Sequence, residues 1–149
     1  MTLRSAALVG LAAFALGCAG ASEHVLAFDP GEHAASVQAV RVDVVQARYA
    51  ERQLTVLCTV GNDGDTPLTV TRAGVLLDDD GLEIPPAALA GQPAQVSIAP
   101  GDAISLQFAF PVGGWEPRAR TLGFWVLGRD GRDLPPVRVS VPGIREEPA

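Results

Sequence analysis

From residue 37 onward, hydrophobic side chains recur at every second position. A chain patterned this way is extended, with one face of each segment dry and the other wet. In residues 53–60, Leu54, Val56, Cys58 and Val60 fall on one side, and Gln53, Thr55 and Thr59 on the other. In residues 103–110, Ile104, Leu106, Phe108 and Phe110 alternate with Ala103, Ser105, Gln107 and Ala109. Val40, Val42 and Val44 alternate with Arg41 and Asp43, and Val137, Val139 and Val141 with Arg138 and Ser140. Further strands are predicted at 67–77 and 119–128. The first loses phase near Arg72-Ala73-Gly74, as a β-bulge does. The second is apolar on both sides and belongs inside a sheet.

Gly61-Asn62-Asp63-Gly64-Asp65, Asp79-Asp80-Gly81 and Arg129-Asp130-Gly131-Arg132 each carry Asp-Gly, a pair that accepts positive φ at hairpin tips. Ala99-Pro100-Gly101-Asp102 is another tight turn. The pattern predicts an all-β protein, one immunoglobulin-like antiparallel sandwich of about seven strands. Pro86-Ala87-Ala88-Leu89-Ala90 is expected to make a single helical turn, the longest helix in the domain.

The first residues follow a different rule. Arg4 precedes an uncharged, mostly apolar run that ends at Ala15-Leu16-Gly17-Cys18. That is the pattern of a secretory signal, and it is too short for a spanning helix of ~20 residues. Phe14-Ala15-Leu16-Gly17-Cys18 resembles the lipobox of bacterial lipoproteins, with Ala15 and Leu16 in exchanged order. The resemblance implies that Cys18 carries the lipid (palmitate among its acyl chains) and begins the mature protein, anchored to a membrane without crossing it. Ala19, where that family's inner-membrane retention signal is aspartate, implies the outer membrane, on its periplasmic or surface face, if the organism has one. The competing reading is ordinary cleavage near Ala19 to Ala21, with Cys18 discarded. Cys58 is the only other cysteine. A Cys18–Cys58 disulfide competes with acylation of one and burial of the other.

The expected organisation is therefore a signal peptide at 1–17, an acylated cysteine and flexible tether at 18–36, a β-sandwich at 37–142 and a disordered C-terminal tail at 143–149. Both histidines, His24 and His33, lie in the tether. They read as solvated linker residues rather than metal ligands.

Residues 37–141 also resemble the small immunoglobulin-like domains of bacterial extracellular lipoproteins. They are similar, too, to desiccation-related domains of the late-embryogenesis-abundant type. The likeness rests on Asn62 before Pro67-Leu68, on Asp80-Gly81 and on Ile98-Ala99-Pro100-Gly101. Neither family supplies a catalytic residue to transfer.

Reactive chemistry has little to work with. Nucleophile–histidine catalysis needs a histidine, and none follows His33. Phosphate-cradling, Cys-x-x-Cys and His-Glu-x-x-His motifs are missing from the sequence. Cys58 shares the dry face with Leu54 and Val56 and reads as a buried apolar residue. The formal charge of −6, with the basic residues scattered, argues against nucleic acid as a partner.

The expectation is a non-enzymatic, cofactor-free envelope lipoprotein that acts as an interaction or structural module for another protein. The alternative is a small-ligand or Ca²⁺-binding lipoprotein. In that case Trp115 contacts the ligand, or Asp79, Asp80, Asp102 and Asp130 (with Asp78 and Asp133 nearby) converge at one loop end as oxygen donors. A ligand binder predicts a concave, partly apolar pocket near Trp115. An interaction module predicts a flat exposed patch or an uncovered strand edge.

Overall fold

The computed structural model describes residues 23–79, 81–88, 91–113, 118–128 and 130–143. It is an antiparallel β-sandwich, with no helix among the described residues. The strands are β1 (His24–Ala27), β2 (Ala34–Val37), β3 (Val40–Ala50), β4 (Gln53–Asn62), β5 (Leu68–Asp79), β6 (Leu82–Ile84), β7 (Gln95–Ile98), β8 (Ala103–Pro111), β9 (Arg120–Leu127) and β10 (Val137–Val141).

One sheet orders β1-β3-β4-β8, with β2 also on β3; the other orders β10-β9-β5-β6, with β7 also on β5. Each sheet therefore has one edge written in two pieces. β1 pairs with Tyr49 to Gln46 of β3, and β2 with Asp43 to Val40. β6 pairs with Leu77 to Asp79 of β5, and β7 with Leu68 to Thr71. Among the described residues ten strands thus lie along eight lines, against the seven expected.

Three sequence expectations are corrected here. Residues 24–36 are not a free tether, because β1 and β2 pair with β3 and belong to the sheet. Each piece is only four residues long, and residues 28–33 separate them, so no sustained period survives. Ala87 is extended rather than helical: its N–H donates to Ala109 O at 2.7 Å and bridges to β8. The turn at 62–66 crosses between sheets and is not a hairpin tip, whereas 99–102 is the tight turn expected, closed by the Asp102 N–H on Ala99 O at 3.0 Å.

The inward faces of β3, β4, β5, β9 and β10 meet in a dry layer of Val40, Val42, Val44, Leu54, Val56, Val60, Val75, Leu77, Leu122 and Val141. Phe108 of one sheet meets Phe124 of the other edge to face, with ring centroids 5.6 Å apart. The predicted bulge is present: the β5–β9 register shifts between Val70 and Val75. Gly74 lies inside it, where a Cβ would stand 2.6 Å from the Trp125 carbonyl oxygen. A second bulge, between Val44 and Gln46 of β3, moves the buried face to Ala47 and Tyr49.

Asn62 is fully buried and ties the two crossovers together. Its Nδ2 donates to Thr66 O at 2.7 Å and to Ile98 O at 3.0 Å, and its Oδ1 accepts from Gly64 N at 3.0 Å. Its main chain bonds Asp102 O and Gly101 N. Asn62→Ala leaves buried carbonyls without a donor, and is expected to cost about 2–4 kcal/mol. In urea unfolding, the midpoint falls while the slope is unchanged.

Candidate functional site

The two long sides of the sandwich differ. On one, β10 packs beside β2 and β3 and closes the gap between sheets. On the other, β7 and β8 follow each other through residues 99–102, and no comparable contact joins them. The gap there is a groove of ≈ 460 Å³ that wraps the β8 edge. Ile104, Leu106, Val70 and Val96 line its inner wall; Leu57, Ser105 and Gln107 flank it outside. Ile104 and Leu106 face the core yet are only half-buried, because they border this open gap.

The ladder fixes where the β8 backbone groups point. β8 pairs with β4 in unbroken register from Gln53↔Pro111 to Gly61↔Ala103. The Ala109 carbonyl turns away from β4 to accept the Ala87 N–H. Orientation repeats every two residues in an antiparallel ladder, so Ser105 and Gln107 also direct both N–H and C=O outward. Among the described residues no group bonds them. Ala87 thus occupies the end of an edge whose next two positions are open.

Among the described residues Arg72 is the one charged side chain lining this groove, and its guanidinium donates to the neutral Gln92 Oε1. It enters no ion pair with a described residue.

At the end of the sandwich where β5 stops and β9 starts, Asp79 meets Arg118 Nη2 at 2.8 Å and Arg120 Nη2 at 3.7 Å. Arg120 is buried, with its guanidinium carbon 5.9 Å from the Tyr49 ring centroid. Burial pushes the Tyr49 hydroxyl above its ordinary 10.0, an effect the Arg120 guanidinium opposes. Asp79 is thus the counter-ion of a buried cation.

That geometry corrects the calcium reading. Asp79 lies at one end of the sandwich, with Asp78 just before it in β5. Asp102 and Asp130 lie beyond the opposite strand ends, next to β8's start and β9's finish, as does Asp133. Residues 82–98 cross the sheet once, along a single interrupted line, so the acidic turns on either side of them fall at opposite ends. Among the described residues no cluster of His, Cys, Asp and Glu is disposed to hold a metal. Asp80, Trp115 and Cys18 lie outside the described residues. His33 stacks edge-on against Phe28, ring centroids 4.5 Å apart, and so is not a free linker residue.

Two features escaped sequence reasoning. The β8 edge was legible only as an alternating strand, since neighbours are set by topology. Trp125, read only as an apolar position, lies on the outer face of β9 over Gly123. It borders a dimple of ≈ 40 Å³ with Asp78, Glu83 and Arg138, room for little more than water.

Cys58 is fully buried and its Sγ lies 3.6 Å from Leu106 O. Burial pushes its thiol far above its ordinary 9.0, with Asp43 adding in the same direction. This is an inert core thiol.

A scan of protein-family models finds no match to this chain, and a search of curated proteins finds none. Among solved structures, the chain is similar to a protein from Bordetella pertussis provisionally named ApaA. The two are 18% identical, with a TM-score of 0.42 over 85% of this chain and 95% of that one.

Two tests address this chemistry. Asp79→Asn strands the buried Arg120 charge and is expected to lower stability by about 3–5 kcal/mol in urea unfolding. The raised thiol makes stability pH-dependent in a defined direction. The unfolded chain loses the Cys58 proton near pH 9.0 and the folded chain does not. The contribution is therefore complete below that pH and is lost above it, by up to about 1.4 kcal/mol per pH unit. Cys58→Ala removes the slope between pH 9 and 10, although its own baseline is lower.

Proposed function

We propose that this chain is a cell-envelope lipoprotein, held to the membrane by acyl chains on Cys18, whose β-sandwich is a non-catalytic interaction module. In this reading the β8 edge receives an extended segment of another envelope protein. The observation that carries it is the contrast among the sheet edges. The β1–β2 edge is interrupted at residues 28–33, and the β6–β7 edge at 85–94, stretches that hold Pro30 and Pro85, Pro86 and Pro93. β10 is five residues long, carries Arg138 and is bracketed by Pro135, Pro136 and Pro142. Interruption, proline and charge are how sheet proteins keep foreign strands away. Residues 103–107 of β8 have none of these protections and expose paired donors and acceptors, the chemistry of β-strand addition.

An anchor at Cys18 would suit the same reading. The leader would join the domain through β1, and β8 lies three strand spacings away across the same sheet, ~14 Å. A lipid tether on that side leaves the β8 groove facing away from the point of attachment.

Growth with an alkyne fatty acid tests the anchor. Wild-type protein is expected to take up label and sediment with membranes, and Cys18→Ser to be unlabelled and released. A Cys18→Ser protein that keeps both label and membrane association overturns the anchoring.

A further inference from the structure

We infer that the segment received by the β8 edge is an extended peptide bearing a carboxylate, which Arg72 captures while Ser105 and Gln107 bond its main chain. This rests on the edge-docking reading and adds the chemistry of the partner.

Three observations meet in one place. Ser105 and Gln107 offer outward N–H and C=O groups in the register that Ala87 already uses at Ala109, so the edge accepts a strand and sets its alignment. On the inner side, Ile104, Leu106, Val70 and Val96 provide half-open apolar walls for alternate side chains of that strand. Arg72, from the β5 bulge on the opposite wall, puts a half-buried guanidinium into the otherwise uncharged groove.

Charge selects the partner. Among the described residues the other side chains lining the groove are uncharged, and Arg72 has a neutral amide as its hydrogen-bonding partner. A guanidinium with free N–H groups beside a dry wall favours a carboxylate, which it can hold by two parallel hydrogen bonds. A cationic segment meets the same group as repulsion. The carboxylate can be a Glu or Asp side chain or the end of a chain, since both present the same oxygens.

The test uses full-length acylated protein in detergent micelles and fluorescent peptides of about seven residues with alternating Val and Ser. One carries a central Glu and an amidated end, one a free C-terminal carboxylate, one no charge, and one Lys in place of Glu. Fluorescence anisotropy reads binding. At least one carboxylate peptide is expected to bind about tenfold tighter than the neutral one, with the Lys peptide weakest. Whichever carboxylate peptide binds better identifies the source.

Arg72→Gln is expected to bring the carboxylate peptides down to the affinity of the uncharged one, about a tenfold loss, and to remove the penalty on the Lys peptide. Ser105→Pro deletes an outward N–H that β4 does not use, so it should fold and melt as wild type yet lose peptide binding about tenfold. Gln107→Pro is the second such variant.

The outcomes separate the two levels. Equal binding of Glu and Lys peptides, with loss in Ser105→Pro, overturns the carboxylate and leaves edge docking standing. Unchanged binding in both proline variants overturns edge docking and the inference with it. Unfolding of both proline variants overturns the outward assignment of the backbone groups. Sedimentation showing a dimer that Ser105→Pro dissolves makes a second copy the occupant and overturns the partner peptide.

Discussion

The layer between the two sheets is built from small, stiff side chains, and its thinness governs the rest of the molecule. Val40, Val42, Val44, Val56, Val60 and Val75 are all sealed from solvent. β-branched residues pack well on a pleated surface and lose little rotamer freedom there. Such a layer is continuous only where both sheets are present. Where β10 reaches over β2 and β3 the seam shuts. Where β7 and β8 part, phenylalanine is the largest filler available. Phe108 and Phe124 close the middle while Ile104 and Leu106 stay half-uncovered at the rim. The groove thus follows from the parting of β7 and β8, with Gln92, Pro93 and Ala94 of the 85–94 excursion completing its lining.

Edges follow from the same geometry. An open sandwich has outer strands with spare hydrogen-bonding groups, and those groups either face water or find a partner. This chain breaks two edges into pieces with excursions at 28–33 and 85–94. The second excursion crosses to the other sheet, where Ala87 satisfies one β8 carbonyl. The chain has therefore begun to cover β8 and stopped, leaving Ser105 and Gln107 beside a ready-made start of the next strand. A guest strand joining there would meet a preformed register, which lowers the ordering cost of docking.

Period two made most of this legible in advance. β3, β4, β8 and β10 match their alternating segments, and the bulge near Arg72 and Gly74 is visible as a slip in phase. What escaped did so for local physical reasons. β1, β2 and β7 have four residues each and β6 three, too few for a period to declare itself. The β3–β4 hairpin turns at Glu51 and Arg52, with φ of 50° and 62°, although neither is the Gly or Asn that such a turn prefers. Pairing along both long strands carries that strain of about 1–2 kcal/mol per residue. Asp79 looked like one more solvated turn acid, because nothing in the sequence reveals that Arg120 is buried beneath it. The groove was hidden for a related reason. Arg72 and Gln107 are distant in sequence, and only the crossover at 99–102 brings their strands face to face.

The overall charge and the charge of the groove have opposite signs, and distance decides between them. A net charge of −6 repels an acidic segment from afar, but at physiological salt that field decays over about 8 Å. Within the groove the relevant separation is a hydrogen bond, and apolar walls on one side reduce the screening water supplies. Arg72 therefore acts on a carboxylate that has already arrived and contributes to how long it stays rather than how often it comes. Selectivity of that kind depends on the strand being seated first, since only backbone pairing with Ser105 and Gln107 brings a guest side chain within the arginine's reach. Edge and charge are in that sense a single device: the edge aligns any extended chain, and the arginine discriminates among those aligned.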